Sequence, residues 1–321
     1  MSTQPSDPAK RTLIMIHGRG WKPAAETLEG LWRSAIATGL DRDHKDAGGS
    51  ALLETVNMQF VYFGDFSNEL LQSAGGKYDP ELDLVDRQQA LRALSALKNK
   101  KRFRRQYYEA VPGKSSLKEF LVDLGAPILS ALHVTNTAIG RKMPEVAAYF
   151  RNTNGFQDAA RQRLAIPLRE ALARNDRILL VSHCLGSVIA YDTLWQAGHE
   201  PVGSDFPHVP RVDTWITLGS PLGDEFVKHH LAGAKSSNAQ RFPTNIINWL
   251  NIAAEDDYTC HDETVANDYA RMLDRQLVSQ IKDYSIYNLA ERYGRSNPHH
   301  SAGYLIHPRF SGLLADWLQI G

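Results

Sequence analysis

Residues 178–192 read ILLVSHCLGSVIAYD, and this stretch decides the fold. An aliphatic run from Arg177 ends at Ser182, and the residues after Gly186 are spaced as in a helix. A short continuous apolar run, closed by small or polar residues, predicts a β-strand that is buried on both faces. The sequence therefore predicts a strand that passes through one tight turn directly into a helix.

The turn itself, Ser182–His183–Cys184–Leu185–Gly186, has a cysteine between two small residues. In a nucleophile elbow the central residue stands on a strained strand-to-helix turn, and the chain around it must be small. The N–H of Leu185 would point at a developing oxyanion, and the helix N-terminus would add positive partial charge. The alternative is that Cys184 is an inert buried cysteine, the common fate of a lone intracellular cysteine.

Other apolar runs of the same kind occur along the chain, and helical patterns lie between them. Strands that alternate with helices predict an α/β fold with a mainly parallel central sheet flanked by helices. The predicted strands are residues 12–16, 58–63, 177–182, 212–218, 244–253 and 281–289, and the predicted helices are 157–174 (interrupted by Pro167), 188–195 and 305–320.

Residues 66–151 break this alternation, because they contain helix-like stretches and no convincing strand. We expect one domain over residues 1–321, with 66–151 as a helical cap or lid insertion over the site. A dense basic run at 98–105 is expected to be a solvated surface, with binding of an acidic group or a membrane as the minority alternative. Within the insertion one apolar helix face is predicted from Leu117, Phe120, Leu121, Leu124, Ile128 and Leu132.

Composition excludes several classes of protein. Among the 321 residues, Lys+Arg and Asp+Glu are both 36, so no global field attracts nucleic acid. Only Cys184 and Cys260 are present, which excludes a disulfide framework and a CxxC metal pattern. The sequence shows neither a signal peptide nor an apolar run long enough for a transmembrane segment. We expect a cytoplasmic protein without cofactor or metal.

With these motifs in view, the chain resembles the lipase- and esterase-like branch of the α/β-hydrolase superfamily. SHCLGSVIAYD is similar to the SHSLGS box of that group, with cysteine in place of the usual serine nucleophile. The resemblance includes the glycine-rich turn His17–Gly18–Arg19–Gly20, the segment 217–223 and the region His300–Ser301 to Tyr304. Dienelactone hydrolases and polyhydroxyalkanoate synthases share the fold and use a cysteine, although an engineered Ser-to-Cys change would give the same sequence.

The resemblance implies an acid and a histidine that follow Cys184 along the chain. An asparagine six positions before the acid is common in the family, so Asn251 points to Asp257, with Asp256 as the alternative. His300 precedes Ser301 and Tyr304 in the manner of the family's loops, so His300 is preferred as the base and His299 is the alternative. Cys260–His261–Asp262 lacks a second cluster at zinc spacing, and no metal is expected there.

These roles predict a hydrolase of an ester, thioester or lactone, acting through a Cys-His-Asp triad and an acyl-thioenzyme. The expected oxyanion hole combines the Leu185 N–H with one from the Gly18–Arg19 turn, which His17 would brace. The expected partner is a small-molecule acyl substrate, lipid-like compounds included. Two alternatives remain open: an acyltransferase with the same triad, or a catalytically silent α/β-hydrolase-fold binding protein.

Overall fold

The computed structural model describes residues 10–113, 144–199, 211–260 and 264–319. Six strands form one central sheet in which every neighbouring pair is parallel. Helices flank this sheet, so the predicted α/β architecture with a parallel central sheet is confirmed. The strands are β1 (Arg11–Ile16), β2 (Val56–Val61), β3 (Arg177–His183), β4 (Val212–Leu218), β5 (Ile246–Ala254) and β6 (Gln280–Ile286), in the spatial order β2-β1-β3-β4-β5-β6.

The position of each strand in the sheet explains its composition. The central strands β1 and β3 are buried from their second residue onward, because helices cover both of their faces. Such strands have continuous aliphatic sequences rather than alternating ones. The edge strands β2 and β6 are partly exposed, and β6 mixes buried and exposed residues along its length.

Helices complete the two layers that cover the sheet. One layer contains α6 (Phe156–Ala173) and α7 (Leu185–His199), which pack together, and the other contains α1 (Ala25–Asp43) with α10 (Ser301–Leu305) and α11 (Pro308–Gln319). A short antiparallel pair, β7 (Glu291–Arg292) and β8 (Arg295–Ser296), precedes α10. The helices are α1 (Ala25–Asp43), α2 (Gly64–Ser73), α3 (Pro80–Ser95), α4 (Arg105–Tyr108), α5 (Pro144–Phe150), α6 (Phe156–Ala173), α7 (Leu185–His199), α8 (Glu225–His230), α9 (Ala270–Asp274), α10 (Ser301–Leu305) and α11 (Pro308–Gln319).

Several predicted boundaries differ from the observed ones for physical reasons. Helix α6 continues through Pro167 instead of being interrupted there. The single helix predicted at 305–320 is two helices, since Pro308 begins α11 and proline is suited to a first helical position. Strand β2 ends before Phe63, whose N–H donates to Nε2 of His17 at 3.0 Å rather than to a neighbouring strand.

The described part of segment 66–151 is helical, with α2, α3, α4 and α5, and residues 66–113 and 144–151 contain no strand. The basic run at 98–105 is largely exposed, as expected of a solvated surface. The apolar face predicted from Leu117 to Leu132 lies outside the described residues.

Candidate active site

Cys184 lies at the carboxyl end of β3, between that strand and helix α7. Its φ of +53° is in the left-handed region, which is strained for a residue with a side chain. The turn is held because the Cys184 N–H donates to the Leu218 carbonyl of β4 at 3.0 Å, while its own carbonyl accepts from the Ser187 N–H at 2.9 Å. The backbone thus has the strained strand-to-helix geometry that the sequence predicted at this position.

Two glycines allow the turn to approach strand β1. A Cβ on Gly186 would overlap the carbonyl of His17 and lie 2.9 Å from that of Ile16. A Cβ on Gly18 would lie 2.6 Å from Cβ of Cys184 and 2.7 Å from Nδ1 of His183. Both positions therefore exclude any side chain, because real Cβ atoms do not approach other atoms so closely.

Asp257 and His299 form a hydrogen-bonded side-chain pair near this turn. Nδ1 of His299 lies 3.0 and 2.9 Å from the two carboxylate oxygens of Asp257. The carboxylate also accepts from the Tyr304 hydroxyl at 2.5 Å and from the Thr259 N–H at 3.0 Å. Burial alone would raise the pKa of Asp257, but its charged and hydrogen-bonded partners, His299 first, hold that pKa below its usual value.

Cys184 and His299 are neighbours, and each favours the charged form of the other. Burial would raise the pKa of the Cys184 thiol, but His299 outweighs it, with Arg19 contributing, so the thiol pKa is lowered. Burial opposes charge on His299 as well, yet Asp257 and Cys184 together raise the pKa of His299 to about 10. Both shifts favour the thiolate–imidazolium form of the pair, and the thiolate is the nucleophilic form of cysteine.

The geometry corrects the preference for His300 over His299. His300 caps helix α10: its Nδ1 accepts the Ala302 N–H at 3.2 Å and its carbonyl accepts from the Asn288 side chain at 3.0 Å. Burial, followed by the nearby Arg292, lowers the pKa of His300 well below its usual value, so His300 is neutral. His300 and Ser301 are suited to the start of a helix. The His–Ser pattern therefore marks the N-cap of α10 and not the histidine that pairs with Asp257.

Between the two candidate acids, the structure brings Asp257 rather than Asp256 to the histidine. Asp256 is exposed, has φ +60°, and accepts a hydrogen bond from the Tyr108 hydroxyl at 2.9 Å. It is the turn residue after β5, a common role for aspartate. Cys260, close by, donates to the Asp257 carbonyl at 3.3 Å, and burial raises its thiol pKa well above the usual value.

The Gly18–Arg19 turn and the start of helix α7 both lie next to Cys184. The Arg19 N–H is hydrogen-bonded to the Cys184 sulfur. Leu185 is the first residue of α7, and N–H groups in a first helical turn have no acceptor within their own helix. These three residues, Gly18, Arg19 and Leu185, are the ones expected around an oxyanion.

His17 and His183 brace the site and are neutral. Nε2 of His17 accepts from the Phe63 N–H, so its proton is on Nδ1, which donates to the Gly18 carbonyl at 2.7 Å. His183 pairs with the His299 carbonyl at 2.9 Å. Burial is the main reason that the pKa of each ring is well below its usual value. His17 thus has the bracing role that was expected for it.

A pocket of about 370 Å³ opens beside these groups. Helix α3, in the segment predicted as a cap, provides one wall through Asp83 and Arg87. Most of the lining residues are polar or charged, and Trp21, Leu28, Trp32 and Leu82 contribute apolar surface. The lining includes His17, Gly18, Arg19, Gly20, Trp21, Lys22, Leu28, Trp32, Lys77, Tyr78, Asp79, Leu82, Asp83, Arg87, His183, Arg292, Tyr293, Asn297, His299, His300 and Ser301.

Sequence reasoning missed three residues that surround the site: Lys22, Glu145 and Tyr304. Tyr304 stood within a noted motif, but its hydroxyl contact with Asp257 depends on the turn of helix α10. Lys22 and Glu145 belong to no motif; Lys22 follows Gly20 by two residues along the chain, whereas the tertiary fold brings Glu145 to the Gly20 N–H. No local pattern in the sequence could have identified these two.

No group of three or more His, Cys, Asp or Glu residues that could hold a metal ion occurs within residues 10–113, 144–199, 211–260 and 264–319. In the same ranges, every helix is too short or too polar to cross a lipid bilayer. Comparison with known proteins found no match to a protein-family model, to a curated protein or to a solved structure.

Proposed function

We propose that the protein is a hydrolase of the α/β-hydrolase type that cleaves an ester, thioester or lactone through Cys184. The observation that carries this proposal is the placement of Cys184, at the carboxyl end of β3, beside His299, whose Nδ1 is hydrogen-bonded to Asp257. A nucleophile, a base and a residue that orients the base are what acyl transfer requires. The adjacent pocket offers space for the acyl substrate.

In the acylation step, the Cys184 thiolate adds to the substrate carbonyl carbon, and the carbonyl electron pair moves to oxygen. The N–H groups of Arg19 and Leu185 stabilise that oxyanion, and loss of one such donor typically costs about 3 kcal/mol. His299 then donates its Nε2 proton to the leaving alkoxide or thiolate as the bond to carbon breaks. Asp257 keeps Nδ1 engaged, so the proton is transferred from Nε2.

Deacylation reverses these roles. His299, now neutral, takes a proton from water at Nε2 while the water oxygen adds to the thioester carbonyl. The tetrahedral intermediate collapses, the carbon–sulfur bond breaks, and the carboxylic acid is released. Cys184 returns to a thiolate and His299 remains protonated, which restores the starting ion pair.

The test is intact-mass spectrometry of the protein after reaction with iodoacetamide or p-nitrophenyl acetate over a range of pH. We expect one fast carbamidomethyl addition and a transient acetyl adduct, because the Cys184 thiol has a lowered pKa. Cys184→Ala should remove both adducts. Cys260→Ala is the matched control and should retain them, since the Cys260 thiol has a raised pKa.

Equally slow labelling of both cysteines, without an acyl adduct or ester turnover, would contradict the proposal. That result would favour a silent α/β-fold binding protein. A trapped acyl adduct that transfers to an added alcohol faster than to water would instead identify an acyltransferase.

A further inference from the structure

Lys22 is a buried lysine beside the candidate oxyanion site, and the proposed mechanism does not use it. We infer that Lys22 is a positioning residue whose amino group clamps the backbone of residues 19–21, so that the Arg19 N–H is held at the Cys184 sulfur. This inference rests on the proposed acyl-transfer function and adds a structural requirement to it.

Three consecutive carbonyls point at the amino group of Lys22. Its Nζ lies 2.5 Å from the carbonyl oxygen of Arg19, 3.0 Å from that of Gly20 and 3.4 Å from that of Trp21. An ammonium group has three N–H donors, which matches these three acceptors. Only 8% of the Lys22 surface is exposed, so water does not compete effectively for the carbonyls.

The orientation of the carbonyls determines where the N–H groups of the loop point. The Arg19 carbonyl and the Gly20 N–H belong to one peptide group, so with that carbonyl turned toward Lys22 the Gly20 N–H points the other way and donates to Glu145 at 2.5 Å. The preceding N–H, that of Arg19, faces Cys184. Gly20 has φ +90°, a conformation that allows successive N–H groups to form a concave anion site. The clamp therefore fixes the peptide groups directly after the Arg19 N–H, while Nδ1 of His17 holds the Gly18 carbonyl of the peptide to which that N–H belongs.

Other anchors fix Lys22 itself. Its backbone N–H donates to the Asn68 side chain at 2.9 Å, and its carbonyl accepts from the same side chain at 2.8 Å. The Trp21 carbonyl also accepts from Arg87 at 2.9 Å. Asn68 and Arg87 lie on α2 and α3, so the segment after β2 holds the clamp in place.

The charge on Lys22 depends on pH near neutrality. Burial, followed by the neighbouring Arg87, lowers the pKa of Lys22 to about 7. Above that pH the amine has two N–H donors instead of three and no charge, so one carbonyl loses its partner. The titratable or charged groups that face Lys22 are Arg87 and Asp83 on α3, Glu145 on α5, Cys184 at the elbow, and His17 and His183 at the strand ends.

The test compares Lys22→Met, which keeps the length of the side chain without donors, with Lys45→Met, an exposed control in the turn after α1. Three quantities are measured: acylation by p-nitrophenyl acetate, alkylation of Cys184 by iodoacetamide, and hydrogen exchange of the peptide that contains residues 17–23. Lys22→Met should lower the acylation rate about 100-fold, the typical effect of one oxyanion donor. Alkylation needs no oxyanion donor, so its rate at high pH should change far less.

The wild-type acylation rate should also fall as pH rises through about 7 while alkylation does not fall, and Lys22→Met should lack this alkaline decline. Residues 17–23 should exchange faster in Lys22→Met than in wild type or Lys45→Met. Unchanged exchange together with an unchanged ratio of acylation to alkylation would overturn the inference. A lower Tm with that ratio unchanged would assign Lys22 a purely structural role and would also overturn it.

If the wild type shows no acylation, the proposed function fails, and hydrogen exchange alone then decides whether Lys22 holds the loop. Faster exchange would keep the clamp as a feature of the fold without the reaction. Unchanged exchange would reject the clamp as well.

Discussion

At Cys184 two opposing effects decide whether the sulfur is reactive. The site is almost fully buried, and burial disfavours a thiolate. The His299 imidazolium and the Arg19 N–H reverse this preference. Cys260 is equally buried but lies beside Asp257, and its thiol pKa is raised. The pKa values of the two thiols therefore shift in opposite directions because their charged neighbours differ, although both cysteines are buried.

The first prediction separates the two adjacent histidines. His299→Ala should reduce kcat/KM for p-nitrophenyl acetate by about 100-fold to 10,000-fold, the usual contribution of a general acid–base. His300→Asn should reduce it far less, because asparagine can still cap α10. The apparent pKa of Cys184, from the pH dependence of alkylation, should rise in His299→Ala only. A larger loss in His300→Asn would return the base to His300.

At the scale of elements, close contacts between secondary structures shape the site. The turn at Cys184 can form because the chain after β1 approaches β3 and α7 at Gly18 and Gly186, where no side chain intervenes. Helix starts matter equally, since His300 and His307 accept N–H groups at the beginning of α10 and α11. A histidine at such a helix start therefore has a structural role, although the sequence pattern around it can suggest a catalytic one.

The second prediction concerns the close approach at Gly18. Gly18→Ala should lower the free energy of unfolding by about 1–3 kcal/mol through overpacking against Cys184 and His183. It should also reduce the rate of Cys184 acylation. Gly30→Ala on helix α1 is the control: nothing lies within 4 Å of its added Cβ, so helix propensity should stabilise it by up to about 1 kcal/mol. Urea unfolding measures both, and equal stabilities would refute the packing argument.

The third prediction concerns acid stability at the start of α11. Burial, and then Arg42, lowers the pKa of His307 to about 3. The unfolded chain, with a pKa near ~6.5, binds more protons between these values, so the free energy of unfolding falls as pH falls through that interval. His307→Asn should reduce this slope by at most about 1.4 kcal/mol per pH unit.

The measurement is urea unfolding between pH 4 and 7, with His229→Asn as the control for loss of an exposed histidine. Asparagine at position 307 can still accept the Arg309 N–H, so the helix start is retained. Identical slopes in wild type and His307→Asn would mean that His307 is not neutral in the folded protein.

For the whole molecule, the segment after β2 is joined to the C-terminal region as well as to the site. Arg292 of β7 forms ion pairs with Asp83 and Asp86 of α3, and Arg87 reaches the Trp21 carbonyl. These contacts place many charged side chains along one wall of the pocket. A pocket of this composition and size suits a short or polar acyl group better than a long alkyl chain.

The fourth prediction follows from that wall. Across p-nitrophenyl esters, kcat/KM should be highest for acetate to butyrate and should fall steeply for chains of dodecanoate length and beyond. Initial rates below the critical micelle concentration measure this series. A rise with chain length would support the lipid-like substrates included in the sequence interpretation.

The sequence predicted those features that depend on neighbours along the chain. The strand–turn–helix around Cys184 and the parallel sheet follow from local apolar runs and small residues. The histidine that pairs with Asp257 could not be predicted in this way. His299 and His300 are adjacent, and only the start of α10 decides which ring turns toward Asp257. Glu145 reaches the Gly20 N–H through a contact between distant segments, which no single-sequence pattern encodes.

The strained turn at Cys184 has a further consequence for folding studies. Its backbone is held by Leu218 of β4, and its thiol is activated by His299 from the last part of the chain. A refolding protein therefore gains a fast-reacting thiol only when both distant segments have docked. Pulsed alkylation of Cys184 at mildly acidic pH would then measure when these two contacts form during refolding, without any attached dye.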